Sequence, residues 1–286
     1  MKIGVTQVLA NSDADPAIVA KHAEELGFES YWLPDHTILP VHATTRYPGV
    51  REGAREPRTL WQIPDPLIAL SRASATTSTI KLGTGICLVP ERNPLLLAKQ
   101  IATLDDASGG RFLFGIGAGW NREECEILGG DFDHRWSQVK DHIAAMKVLW
   151  QDEESEYHGK YVDFPLVRCF PKPARKPHPP VLLGNIGSPL ALKRVVEWGD
   201  GWMPVVESVE QFAEGVSKIR SLAESAGRAL ESLDFTVFGM HGQFRGTDEI
   251  AALEGAGAGR VILWVKSLLR DDIRRELDEL AHQVFN

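Results

Sequence analysis

Little in this chain of 286 residues invites disulfide or metal chemistry. Its three cysteines, Cys87, Cys125 and Cys169, are odd in number, widely spaced, and form no CxxC pair or His-Cys cluster at ligand spacing. That excludes a disulfide framework and leaves no recognisable metal-ligand set, so a reducing compartment is expected. No apolar run approaches the roughly 18 residues of a membrane span. The opening stretch, MKIGVTQVLANSDADP, lacks the long apolar core of a secretory signal. Positive charge is also scarce. Lys and Arg total 31 against 39 Asp and Glu, a formal charge of −8, which argues against a surface for nucleic acid or anionic lipid. The expectation is a cytoplasmic protein whose partner is a small molecule.

What the chain does have is rhythm. Ile3 to Val8 favours a strand, and Asp15-Pro16 opens a helical pattern closed by Gly27. Strands follow at Ser30 to Leu33, Ile80 to Cys87, Arg111 to Ile116, Val181 to Leu183, Gly201 to Val205, Phe235 to Met240 and Val261 to Val265. Each is followed by a helical pattern. Two stretches break the alternation, residues 37–64 after strand two and residues 151–179 before strand five. The second holds five of the seventeen prolines and reads as an excursion packed on the fold. Eight βα units predict an α/β chain forming one domain over residues 1–286, a (β/α)₈ barrel with those two insertions.

In such a barrel the residues after each strand build the active site. Strand two is followed by Pro34-Asp35-His36 and a long loop carrying Arg46, Tyr47, Arg51, Arg55, Arg58 and Trp61, whose composition suits a pocket cover. His36 is the ionisable group best suited to proton transfer near neutrality, although a surface histidine would look the same in sequence. Gly83 and Gly85 in strand three mark either a bulge or close packing. After strand four, Gly115-Ile116-Gly117-Ala118-Gly119-Trp120 is glycine-rich without being a GxGxxG fingerprint. It suggests a flat ring against bare backbone with Trp120 as a wall. After strand five, Gly184-Asn185-Ile186-Gly187-Ser188-Pro189 places Ser188 as an N-cap and Pro189 at the first helical position. The arrangement fits an anion site or an ordinary capped helix. Arg168, Lys172, Arg175 and Lys176 form a basic segment with no acid among them.

Three stretches together, ELGFESYWLPDH, KLGTGICLVPERNPLLLAKQIATLDDASGGRFLFGIGAGWNREE and VLLGNIGSPLALKRVVEWGDGWMP, resemble the luciferase-like flavin and deazaflavin oxidoreductases, especially the F420-dependent branch. The resemblance implies a bacterial luciferase-like TIM barrel with an isoalloxazine-type ring at its mouth. The ring would rest on a bulge with a cis peptide at Gly85–Ile86, be lined by Ala118 and Gly119, and have its phosphate held by Gly184, Asn185, Ile186, Gly187 and Ser188. Asp35 would belong to the cofactor site and His36 would be the catalytic proton relay.

Trp120 stands where sugar-phosphate dehydrogenases of the family carry a glutamate acid. This speaks against sugar-phosphate oxidation and for a less polar substrate pocket, to which Trp61 and Phe170 would add. The basic segment would meet the oligoglutamate tail of F420. The implied activity is hydride transfer between F420 and a small organic substrate. An FMN-dependent monooxygenase served by a separate reductase is the alternative, and a catalytically idle flavin-binding barrel a third. A homodimer is expected from similar barrels.

Overall fold

Residues 1–8, 14–47 and 56–285 are described by a computed structural model. The strands are β1 (Lys2–Gln7), β2 (Ser30–Leu33), β3 (Lys81–Thr84), β4 (Cys87–Leu88), β5 (Phe112–Gly117), β6 (Ser155–His158), β7 (Asp163–Val167), β8 (Val181–Asn185), β9 (Gly201–Pro204), β10 (Asp234–Gly239) and β11 (Arg260–Val265). The helices are α1 (Pro16–Glu25), α2 (Pro66–Ser74), α3 (Pro94–Ala107), α4 (Arg122–Ile127), α5 (Arg135–Gln151), α6 (Pro189–Trp198), α7 (Val209–Ser225), α8 (Thr247–Gly255) and α9 (Arg270–Phe285). Among the described residues no helix is long and apolar enough to cross a membrane.

Eight strands pair in parallel in the order β3-β2-β1-β11-β10-β9-β8-β5, and β5 returns to β3 through Leu82 opposite Phe112 and Gly83 opposite Leu113. The sheet is therefore a closed (β/α)₈ barrel. Its strands bury both faces. Trp32, Leu113, Leu182, Met203, Phe238 and Ile262 fill the inside, while residues such as Val5, Leu33, Phe114, Leu183 and Val261 pack outward on the helices. At the end opposite the mouth, Arg260 closes the interior, bonded to Glu29 at 2.8 Å and Asp234 at 3.1 Å.

Helix starts follow one local rule. Asp15, Asp65, Asn93 and Ser188 each cap a helix with a side-chain oxygen, and each is followed by proline at the first position. Proline loses nothing there, because the first-turn N–H has no intrahelical acceptor.

Two local readings are refined. The third strand is not continuous from Ile80 to Cys87. It breaks at Gly85 and Ile86, whose connecting peptide is cis, and resumes as β4, pairing Cys87 with Ile116 and Leu88 with Gly117. The excursion over 151–179 contains the antiparallel hairpin β6–β7, with Tyr157 opposite Phe164. Pro165 lies within β7, a position tolerated where a strand has a free edge.

Candidate active site

The mouth is built around the segment that leaves β2. His36 Nδ1 lies 2.7 Å from Glu124 Oε2, and Trp120 Nε1 donates to His36 Nε2 at 3.2 Å. An indole N–H can only donate, so Nε2 is the accepting nitrogen and the ring proton sits on Nδ1, pointing at the carboxylate. The Glu124 side chain is fully buried and that of His36 is 9% exposed. Glu124 is delivered by α4, whose N-cap Asn121 accepts the Glu124 backbone N–H at 3.1 Å. The next carboxylate, Glu123, binds the loop after β2 through Thr44, whose N–H and hydroxyl both donate to Oε1 at 2.5 and 2.6 Å. Tyr47 packs edge-on against Trp120 with ring centroids 5.3 Å apart. The first part of the long loop is thus seated on α4. Residues 48–55, with Arg51 and Arg55, lie outside the described residues.

Asp35 stands behind this array. Its carboxylate accepts the Leu88 N–H at 3.0 Å and two Arg92 N–H groups at 3.1 and 2.8 Å. Arg92 also reaches Asp65, the N-cap of α2, at 2.9 Å. Both Asp35 oxygens are engaged, so in this geometry Asp35 fixes the His36 segment against β4 and presents no free oxygen to a ligand.

The glycines around the mouth are explained by close packing. A Cβ on Gly83 would strike Trp32, one on Gly115 would strike the Thr84 carbonyl, and one on Gly85 would lie 2.8 Å from Phe238. Cβ atoms on Gly117 and Gly184 would meet Ile86 at 1.9 and 2.7 Å. The Ile86 side chain therefore sits in a groove between β5 and β8. Residues 82–84 and 87–90 are buried, whereas Gly85 and Ile86 are partly open. Ile86, Met240 and Trp264 pack against the inner cluster that contains Phe238, with the Phe238 and Trp264 rings edge-to-face at 6.3 Å. Nothing in the sequence singled out Phe238, Met240 and Trp264, because inward-facing apolar residues look alike at both ends of a barrel. Ala118 is buried, and Gly119 has φ +77°.

The loop after β8 is held by side-chain hydrogen bonds of its own. Asn185 Oδ1 accepts the Gly187 N–H at 2.9 Å and the Trp202 Nε1–H at 3.0 Å, and Gly187 has φ +78°. Ser188 Oγ accepts the Ala191 N–H at 3.4 Å, which leaves its own hydroxyl proton free to donate. Proline at 189 has no N–H, so the outward donors of this helix start are the hydroxyl and N–H of Ser188 and the N–H of Leu190. Ile186 is 79% exposed beside them.

Among the described residues, the other two expected pocket residues make no contact with this cluster. Trp61 lies in a 3₁₀ turn before α2, is 52% exposed, and donates to Glu56 at 2.9 Å. Phe170 lies on the outside of the barrel. Its carbonyl accepts from Lys99 on the outside of α3, and Lys172 lies over its ring at 4.7 Å while donating to the Leu149 carbonyl near the end of α5. Arg175 N–H binds Asp105 near the end of α3 at 2.9 Å. Helix ends face away from a barrel mouth, so Phe170 is no part of a wall with Trp120, and the basic segment runs toward the opposite face. Chain order alone does not reveal which end an insertion covers.

Sequence reasoning also passed over Glu124 and Glu91. The spacing Asn121-x-x-Glu124 is a capping-box signal that would have revealed α4. Nothing local would have paired Glu124 with a histidine 88 positions earlier.

The family model described as luciferase-like monooxygenase matches residues 13–261. An uncharacterized protein of Mycobacterium tuberculosis is 34% identical over 228 residues, covering 80% of each chain. The fold is similar to that of the monooxygenase RslO1 from Streptomyces bottropensis, with TM-score 0.78, 22% identity, and 100% of this chain and 99% of that one covered. It is also similar to the coenzyme F420-dependent tetrahydromethanopterin reductase of Methanopyrus kandleri, with TM-score 0.74, 19% identity and the same coverage.

Proposed function

This chain belongs to the luciferase-like monooxygenase family, and we propose that its barrel mouth binds the deazaflavin F420 and passes a hydride between it and a small, weakly polar organic substrate. Two features of the mouth fit such a cofactor. The Gly85–Ile86 segment is partly open and has the Phe238 ring against Gly85, which suits a planar ring. The Ser188 and Leu190 donors at the start of α6 suit a phosphate, with Gly184, Asn185, Ile186 and Gly187 shaping the loop. Ala118 and Gly119 would complete the ring's border. Bound there, F420 supplies a two-electron hydride carrier.

The observation that carries the reading is the Glu124–His36–Trp120 array. Glu124 holds the Nδ1 proton, so Nε2 is the atom that takes a proton from, or returns one to, a reacting oxygen or carbon. Trp120 covers Nε2 until a substrate displaces the indole N–H. Trp120, Met240 and Trp264 are predominantly apolar side chains, which favours an unsaturated or carbonyl compound over a sugar phosphate. The family relationship and the named F420-dependent neighbour support the cofactor assignment.

One observation favours a second reading, an FMN-dependent monooxygenase fed by a separate reductase. The segment 168–176, expected to meet the oligoglutamate tail specific to F420, packs toward the opposite face. The test is to supply reduced F420 to the purified protein with a panel of enones, ketones and sugar phosphates. Oxidation of the coenzyme with the apolar carbonyl compounds supports hydride transfer. Turnover of FMN with oxygen, and none with F420, replaces it with the second reading.

A further inference from the structure

Glu91 ends the 3₁₀ turn that follows β4. It is 6% exposed, and neither of its carboxyl oxygens has a hydrogen-bond partner among the described residues. A buried, unsolvated carboxylate is costly, and structures rarely leave one without a purpose.

Its surroundings give it one. A Cβ on Gly119 would come within 3.0 Å of Glu91 Oε1, so the carboxyl lies directly behind the backbone assigned to the ring's border. The turn that carries Glu91 packs on α4, and the charged or titratable groups that act on the carboxyl are Asp35 from the β2 loop, Arg92 in the next position, and Glu124 and Cys125 from α4. Arg92 is already committed to Asp35 and Asp65. Glu124 faces His36. Burial first, then the charges of Glu124 and Asp35, push the Glu91 carboxyl up to about 9 against the opposing pull of Arg92.

We propose that Glu91, buried without a partner in the turn that packs on α4, is a positioning residue for His36 and acts through Glu124 on how readily the imidazole takes a proton. The inference rests on His36 being the proton-handling group. While Glu91 keeps its proton, Glu124 is the nearest anion that His36 feels. Once Glu91 ionises, a second anion stabilises the imidazolium, and Nε2 no longer returns its proton readily. The pair should set an alkaline limit on proton transfer.

The test is carried out on the full chain without cofactor, following the His36 ring resonances by NMR from pH 5 to pH 10. In the wild type, the resonances should show an alkaline inflection near pH 9 that reports Glu91 ionisation. In Glu91→Gln that inflection should vanish, and in Glu91→Asp an alkaline step should remain. Persistence of the inflection in Glu91→Gln, or its absence in the wild type, overturns the proposal. Infrared spectroscopy of the wild type gives a readout independent of the variants. A protonated carboxyl band should survive to pH 8, and its absence there would equally overturn the assignment. These outcomes do not depend on which cofactor binds, so the failure of this inference is separable from failure of the F420 reading.

Discussion

His36 Nδ1 and Glu124 Oε2, 88 positions apart in sequence, meet at 2.7 Å beneath the barrel mouth, with the Glu124 side chain fully buried. Together with the Trp120 indole N–H on Nε2, this contact fixes the tautomer of the ring. His36→Ala should therefore lower turnover by about 10²–10⁴-fold, the usual range for a positioned acid-base group, with little change in cofactor Kd. Glu124→Gln keeps an acceptor for Nδ1–H but removes its charge. It should cost about tenfold or more in kcat. Steady-state kinetics over a pH series checks both, and equal turnover in His36→Ala would remove His36 from the mechanism.

The proposed phosphate site can be probed without disturbing the fold. Asp caps helices as well as Ser does, so Ser188→Asp should leave the melting temperature unchanged. It places a carboxylate where a phosphate would sit, and should weaken cofactor binding roughly tenfold or more at low salt, with partial recovery as salt screens the repulsion. Unchanged affinity measured by fluorescence titration would put the phosphate elsewhere.

Asp35 is predicted to act on architecture. Its side chain is 1% exposed and shares Arg92 with Asp65, so Asp35→Asn leaves the guanidinium short of a buried counter-charge. A loss of about 3–5 kcal/mol is expected, visible as a lower denaturation midpoint at unchanged m-value. Hydrogen exchange at Leu88 N–H, which Asp35 accepts, should accelerate. A variant of wild-type stability with reduced cofactor affinity would instead place Asp35 in direct contact with the cofactor.

Glu91 makes a stability prediction of definite sign. Its carboxyl is raised from 4.5 to about 9 in the folded protein, so as pH rises the unfolded chain releases this proton first and native stability declines across that interval. Glu91→Gln removes the penalty. The variant should be more stable than wild type by about 3 kcal/mol at pH 7, with the gain fading to nothing below about pH 4. Urea denaturation at several pH values measures this difference directly, and a pH-independent difference would contradict a neutral buried acid.

The barrel was legible because its signals are local and repeated. Strands buried on both faces read as apolar runs, and Asp15-Pro16, Asp65-Pro66 and Ser188-Pro189 mark helix starts without help from the rest of the molecule. The site was legible only in part. His36 and the loop at 184–188 follow strands, so their place at the mouth follows from topology. Glu124, Glu91 and the Trp264–Phe238 pair depend on contacts between distant segments. Phe170 was misplaced for the same reason, because an insertion before strand five can cover either end of the barrel and only tertiary contacts such as Arg175 with Asp105 decide which.

The most direct test of the central claim is anaerobic titration of the apo-protein with F420 and, separately, with FMN, following the ring absorbance, in the wild type and in Ser188→Asp. The account predicts saturable F420 binding in the wild type that weakens in Ser188→Asp, with FMN binding more weakly or not at all. Tight FMN binding without detectable F420 binding would contradict it.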